Sequence, residues 1–138
     1  MTITNRCTAL FCAFVLVAAL PPTPPVHAAP VDPKTVSVID AGLGPCSADF
    51  TITDSTGAPV YGANISVHIA YGLLSAHKLD LQVGSNADGK ARFTGLPDKT
   101  KQGLFFRASE GNREGSTFLD PAKTCKADLT IALRTKSQ

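Results

Sequence analysis

Apolar and polar residues alternate with a period of two along most of the chain from Cys46 to Leu133. Such alternation is typical of strands with one buried face and one face in water. No stretch of useful length has the period of a helix, so the pattern predicts an all-β sandwich, immunoglobulin-like or prealbumin-like, of about seven strands. The apolar rows that share a face are Cys46, Ala48, Phe50 and Ile52; Ile65, Val67, Ile69 and Tyr71; Leu79, Leu81 and Val83; Ala91 and Phe93; Leu104, Phe106 and Ala108; and Cys125, Ala127, Leu129, Ile131 and Leu133.

Turn residues separate these rows. Asp54 and Gly57 bound one turn, where glycine is free to take a positive φ. Asp88-Gly89 precedes the fourth row and is a strong hairpin signal, so we expect a strand pair to close on it. Residues 115–119 predict a weaker strand, and residues 36–39 could form a first edge strand.

The N-terminus has the layout of a secretory signal peptide over residues 1–28. Arg6 supplies the positive region, residues 10–20 are an unbroken apolar run, and small residues at 26 and 28 flank His27. The run is too short to span a bilayer, so we predict no membrane span and a secreted or periplasmic mature protein. Residues 29–45 form a Pro-rich leader together with the edge strand.

The four cysteines reduce to one pair in the mature chain. Cys7 and Cys12 lie in the signal peptide, which leaves Cys46 and Cys125. An even pair in an exported protein favours a disulfide. Both cysteines occupy positions on the apolar face of their strands, so we expect them to meet across the core. A metal pair or a redox dithiol is the competing interpretation, but the sequence has no CxxC motif and no histidine cluster nearby.

Charge and candidate chemistry argue against several classes of function. The formal net charge of +2 falls to nearly neutral when Arg6 is removed, and no basic run is present, so nucleic-acid binding is not expected. No Gly-x-Ser-x-Gly elbow occurs, and the aspartates at 80 and 88 lie in or beside turns. We therefore predict a protein that is not an enzyme, with no catalytic residues, no cofactor and no metal site.

Phe105 and Arg107 are the most informative residues on the predicted outer faces of the strands. They alternate with Leu104 and Phe106 and therefore face away from the predicted core. Aromatic residues and arginine are both favoured at protein interfaces, so these two could form a contact patch. The alternative is that residues 95–103 cover Phe105, or that the strand is buried on both sides. The candidate binding patch consists of Phe105, Arg107, His68 and His77.

Two motifs combine turn residues with alternating strands. They are Asp54-x-x-Gly57-x-Pro59-Val60-x-Gly62-Ala63-x-Ile65-x-Val67 and Asn86-x-Asp88-Gly89-x-Ala91-x-Phe93-x-x-Leu96-Pro97. These motifs resemble the carboxypeptidase regulatory-like domains, which are transthyretin-like β-sandwiches. The resemblance covers residues 47–133, and we assign the domain to residues 46–134, with a tail at 135–138. It implies an accessory role, such as a folding or docking module beside an enzyme or a surface and periplasmic building block, and it supplies no catalytic residues.

The leading hypothesis is an exported, non-enzymatic module that recognises a protein or glycan, or gives structural support in the cell envelope. An edge strand of such a module could accept a strand from the partner. The alternative is a small-molecule carrier or hydrolase of transthyretin type with a site at a subunit interface, which a cluster of His77 and Arg107 in a dimer cleft would favour. Ser75-Ala-His77-Lys-Leu79-Asp80 superficially resembles a stretch of the hydroxyisourate hydrolases, but it lies mid-chain, where a loop-to-strand junction with a solvated histidine is the competing interpretation.

Overall fold

The computed structural model describes residues 32–136, and these form an all-β sandwich of nine strands. The predicted signal peptide and the start of the Pro-rich leader lie outside the described residues, as do the last two residues of the tail. Two short edge strands, the first and the last, raise the count above the predicted seven. The strands are β1 Ser37–Asp40, β2 Cys46–Thr53, β3 Asn64–Tyr71, β4 His77–Gly84, β5 Lys90–Leu96, β6 Leu104–Glu110, β7 Arg113–Leu119, β8 Lys126–Ala132 and β9 Arg134–Thr135.

The strands divide into a four-stranded and a five-stranded sheet. The four-stranded sheet has the order β1-β5-β2-β8, in which β1 runs parallel to β5 and β8 runs parallel to β2. The five-stranded sheet has the order β4-β3-β6-β7-β9 and is antiparallel throughout. In the part of the chain that the structure describes, no helix is both long and apolar enough to cross a membrane.

The expected hairpin at Asp88-Gly89 is wrong. This turn carries the chain from β4 in the five-stranded sheet to β5 in the four-stranded sheet, so the strands on its two sides do not pair. Gly89 has a φ of 70°, and a Cβ atom there would collide with the carbonyl oxygen of Ile52. The turn is tight because it packs against the end of β2. A turn signal specifies a reversal of the chain, and it does not specify which strand becomes the partner.

The Asp54 turn makes a second crossing, from β2 to β3. The Asp54 carboxylate accepts hydrogen bonds from the Thr56 hydroxyl at 2.6 Å, the Thr56 N–H at 2.8 Å and the Ala58 N–H at 3.1 Å. These bonds, above all the one from the Thr56 hydroxyl, hold the pKa of Asp54 below its usual value because they stabilise the charged form.

Three phenylalanines from both sheets form the centre of the core. Phe50 and Phe93 come from the four-stranded sheet and Phe106 from the five-stranded sheet, and all three are fully buried. The Phe50 ring centroid lies 4.7 Å from that of Phe106 and 5.6 Å from that of Phe93. The predicted apolar rows therefore form the inner faces of the sandwich, with Leu79, Val83 and Leu129 only partly buried at its margin.

The predicted disulfide between Cys46 and Cys125 is confirmed, with a Cα–Cα distance of 4.5 Å. The expectation that this bond crosses the core is wrong, because it links two neighbouring strands at one edge of the four-stranded sheet. β2 and β8 pair in parallel with Ser47 opposite Lys126, so Cys46 and Cys125, one residue earlier on each side, lie side by side. The Ser47 N–H donates to the Cys125 carbonyl at 2.8 Å beside the bond.

Asn86 fixes the N-terminal segment against the β4–β5 connection. Its side chain is buried, and its Nδ2 donates to the Lys34 carbonyl at 2.7 Å. Its Oδ1 accepts from the N–H groups of Asp88 at 3.0 Å and Lys90 at 2.7 Å. One amide side chain therefore satisfies three backbone groups.

We expect Asn86→Ala to lower the free energy of unfolding by about 1–3 kcal/mol, because it removes three partly buried hydrogen bonds to the backbone. Urea denaturation followed by circular dichroism measures the change. Asn112→Ala, in the exposed β6–β7 turn, is the matched control and should be nearly neutral. Equal effects of the two substitutions would contradict a structural role of the Asn86 amide.

Candidate functional site

The outer face of the five-stranded sheet presents a pair of phenylalanines. Phe105 of β6 lies directly opposite Phe118 of β7, on the side away from the core. Phe105 is 48% exposed and Phe118 is 55% exposed, so residues 95–103 leave Phe105 accessible. We call Phe105, Arg107 and Phe118 the aromatic patch.

Gly103 allows the ring of Phe118 to lie against the start of β6. Its φ is 69°, and a Cβ atom at this position would collide with the Phe118 ring. A side chain at residue 103 would therefore displace the ring from the aromatic patch. The backbone at this point is shaped to accommodate an aromatic group that contributes nothing to the core.

Arg107 supplies the positive charge of the aromatic patch. Its guanidinium carbon lies 5.5 Å from the centroid of the Phe105 ring, which is within the range of a cation–π contact. Its strand neighbours are Ser66 of β3 and Ser116 of β7, both uncharged. Within residues 32–136, no carboxylate forms an ion pair with Arg107.

Open grooves lie on both sides of the Phe105–Arg107 ridge. Ser66, His68, Asp80 and Gln82 line one groove, and Ser109, Glu114, Ser116 and Lys136 line the other. The other charged groups in these grooves have partners: Lys136 Nζ lies 3.1 Å from Glu114 Oε2, and Asp80 Oδ1 lies 2.6 Å from His68 Nδ1. Arg107 therefore differs from the neighbouring charges of the grooves in having no counter-ion.

The structure brings three of the four predicted patch residues together and separates the fourth. His68 shares a groove with Phe105 and Arg107. His77 lies at the start of β4, on the opposite face of the strand from Asp80. Its ring stacks on that of Tyr71, with the centroids 5.4 Å apart. His77 and Arg107 therefore do not converge within one chain, and a cluster of the two in a dimer cleft is the feature that would favour the carrier or hydrolase alternative.

The outer face of the four-stranded sheet is different in character. Val38, Arg92, Asp49 and Asp128 lie in one row across its strands. The hydrogen bond from Arg92 to Asp49 raises the pKa of Arg92 above its usual value. Among the side chains of residues 32–136, no group of three or more His, Cys, Asp and Glu residues is placed to hold a metal ion.

Sequence reasoning missed Phe118 and Gly103. Phe118 lies in the strand with the weakest apolar alternation, since Leu119, at the end of β7, is the one buried residue of residues 113–119. The available signal was the pairing of β6 with β7: a short turn after Glu110 makes them a hairpin, and its register places Phe118 opposite Phe105.

No protein-family model and no curated protein matches this chain. Solved structures with a similar fold include 3-chlorocatechol 1,2-dioxygenase from Rhodococcus opacus 1CP, at 10% identity over 72% of this chain and 64% of that one, with a TM-score of 0.49. Catechol 1,2-dioxygenase from Pseudomonas arvilla C-1 matches at 14% identity over 75% of this chain and 60% of that one, with a TM-score of 0.44.

The C-terminal domain of the shaft pilin SpaA from Lactobacillus rhamnosus GG matches at 12% identity, over 64% of this chain and 98% of that domain, with a TM-score of 0.35. The present chain spans less than two thirds of the length of the two dioxygenases. Each of these TM-scores is below 0.5, so none of the similarities assigns a function to this protein.

Proposed function

We propose that this protein is an exported, non-enzymatic recognition module that binds an acidic protein surface through the aromatic patch. The observation that carries this proposal is the half-exposed Phe105–Phe118 pair beside Arg107. The disulfide is compatible with an oxidising, extracytoplasmic compartment. The resemblance to carboxypeptidase regulatory-like domains, which implies an accessory role, is in line with the proposal.

The aromatic patch has the chemistry of an interface centre. Aromatic rings and arginine are enriched in interface cores and among the residues that contribute most of the binding energy. Phe105 and Phe118 together offer a flat apolar surface, while their strand positions hold them in place without a partner. Binding to this surface therefore costs little conformational entropy.

The charge of Arg107 selects the class of partner. An unpaired guanidinium stacked on a ring can form bidentate hydrogen bonds with a carboxylate. In one groove Lys136 forms an ion pair with Glu114, and in the other the Asp80 carboxylate is hydrogen-bonded to His68. A partner with an apolar group over the phenylalanines and a carboxylate at Arg107 fits both features.

We expect Phe118→Ser and Arg107→Glu each to weaken partner binding by about tenfold or more, as substitution of central interface residues does. The partner is first cross-linked to the protein in its native envelope or culture fluid and identified by mass spectrometry. The dissociation constant is then measured with both purified proteins by calorimetry. Lys90→Glu, an exposed cation of β5 on the other sheet, is the matched control and should leave the affinity nearly unchanged.

Two results would contradict the proposal. Affinity that survives both patch substitutions would place the contact elsewhere on the molecule. Binding that persists after the target is digested with protease, but is lost after its sugars are oxidised with periodate, would make the target a glycan.

A further inference from the structure

The β3–β4 connection ends in a turn that carries two exposed leucines. Leu73 is 86% exposed and Leu74 is 78% exposed. The stacked rings of Tyr71 and His77 close the base of this connection. Leucines with so much exposed surface contribute little to folding, and two adjacent ones form an apolar protrusion. We call Leu73 and Leu74 the leucine tip.

The backbone of the leucine tip is one that leucine does not favour. The Ala76 N–H donates to the Leu73 carbonyl at 3.2 Å, and the two residues between them, Leu74 and Ser75, have φ values of 57° and 58°. A turn with two positive φ values favours Asn-Gly, because other side chains strain the left-handed conformation. Such conflicts between local preference and sequence are expected at functional positions.

The end of the sandwich that carries the leucine tip has an excess of positive charge. Strand register places residues 97–103 and 120–125 at this end, together with the start of β4. Lys123 of these loops pairs with Asp120 at 3.4 Å. The other charged residues at this end are the lysines Lys78, Lys99, Lys101 and Lys126 and the aspartates Asp40 and Asp98, because strand register also places the end of β1 and the start of β8 here.

The described chain begins and ends at the opposite end of the sandwich. The Pro33 carbonyl accepts from the Ala87 N–H at 2.8 Å, and the Lys136 N–H donates to the Asn112 carbonyl at 3.0 Å. The leucine tip therefore lies at the other end of the sandwich from residues 33 and 136.

We propose that the leucine tip docks onto an anionic lipid surface. Leu73 and Leu74 enter the boundary between headgroups and acyl chains, and the neighbouring lysines lie near the lipid phosphates. A convex apolar tip flanked by cations fits a flat, negatively charged surface, where apolar burial and electrostatic attraction add. Phe105 and Phe118 lie on the outer face of the five-stranded sheet near the same end, and the contact proposed here is assigned to the leucine tip alone.

The test uses vesicle flotation with phosphatidylcholine alone and with equal parts phosphatidylcholine and phosphatidylglycerol. We expect the unmodified protein to float with the anionic vesicles and to dissociate as the salt concentration rises. The double variant L74N/S75G installs the preferred turn residues and removes one leucine. It should raise the melting temperature by about 3–8 °C while lowering vesicle affinity about tenfold.

This variant separates lost docking from lost folding, because it makes the fold more stable. Tyr61→Ser, an exposed apolar change at the opposite end, is the matched control and should leave flotation unchanged. Phe118→Ser should also leave it unchanged, so failure here is distinguishable from failure of the aromatic patch. The proposal is overturned if the unmodified protein does not float with anionic vesicles, or if L74N/S75G floats as well as the unmodified protein. Loss of a protein partner in L74N/S75G, without any vesicle binding, would assign the tip to a protein pocket instead.

Discussion

Replacing Phe50 with alanine is expected to lower the free energy of unfolding by about 3–5 kcal/mol, the usual cost of deleting a buried phenylalanine ring. Phe50 is fully buried and contacts Phe93 in its own sheet and Phe106 in the facing sheet. Its removal therefore opens a cavity at the point where the two sheets meet. Neighbouring strands are held in register by their backbone hydrogen bonds, so they cannot close around the cavity.

The measurement is urea denaturation of the unmodified protein and the variant, with the m-value checked for two-state behaviour. Phe105→Ala is the matched control, because it deletes the same ring from the outer face and should cost about 1 kcal/mol or less. If Phe50→Ala fails to fold, the milder Phe50→Leu still tests the prediction. A loss for Phe50→Leu no larger than that of Phe105→Ala would show that the ring triad is not the core.

Removing the disulfide is expected to have an effect of similar size. Cys46 and Cys125 are 79 residues apart, and a loop of this length stabilises a fold by about 4 kcal/mol on the chain-entropy model. Most of the domain lies inside this loop, so the unfolded chain gains much freedom when the bond is absent. The native contacts around it change little, because β2 and β8 remain paired through their parallel ladder.

The double variant C46A/C125A measures this loss without leaving a free thiol, and its unfolding in urea is compared with that of the oxidised protein. Reduction of the unmodified protein should lower stability by a comparable amount and should leave the double variant unaffected. An effect of dithiothreitol on C46A/C125A would contradict the assignment of the loss to this bond. Alkylation without reductant, followed by intact mass, should find no free thiol in the exported protein.

Prediction of the candidate site from the sequence was partial for a physical reason. Alternation fixes the phase of each strand, so Phe105 and Arg107 could be placed on the outer face without knowing their neighbours. Whether His68 or His77 joins them depends on strand order and on phase. His68 lies on the outer face of β3, the strand beside β6, whereas His77 lies on the opposite face at the start of β4. Phe118 joins the patch only through the β6–β7 register.

The sequence by itself determined the class of fold, the buried face of each strong strand and the pairing of Cys46 with Cys125. These follow from a two-residue period and from the presence of only two cysteines after residue 28. Only the tertiary structure decided that the turns at Asp54 and Asp88 connect different sheets. It also decided that the disulfide joins parallel neighbours and that Phe118 lies opposite Phe105. Pairing and register depend on contacts between segments distant in sequence, and no local pattern encodes them.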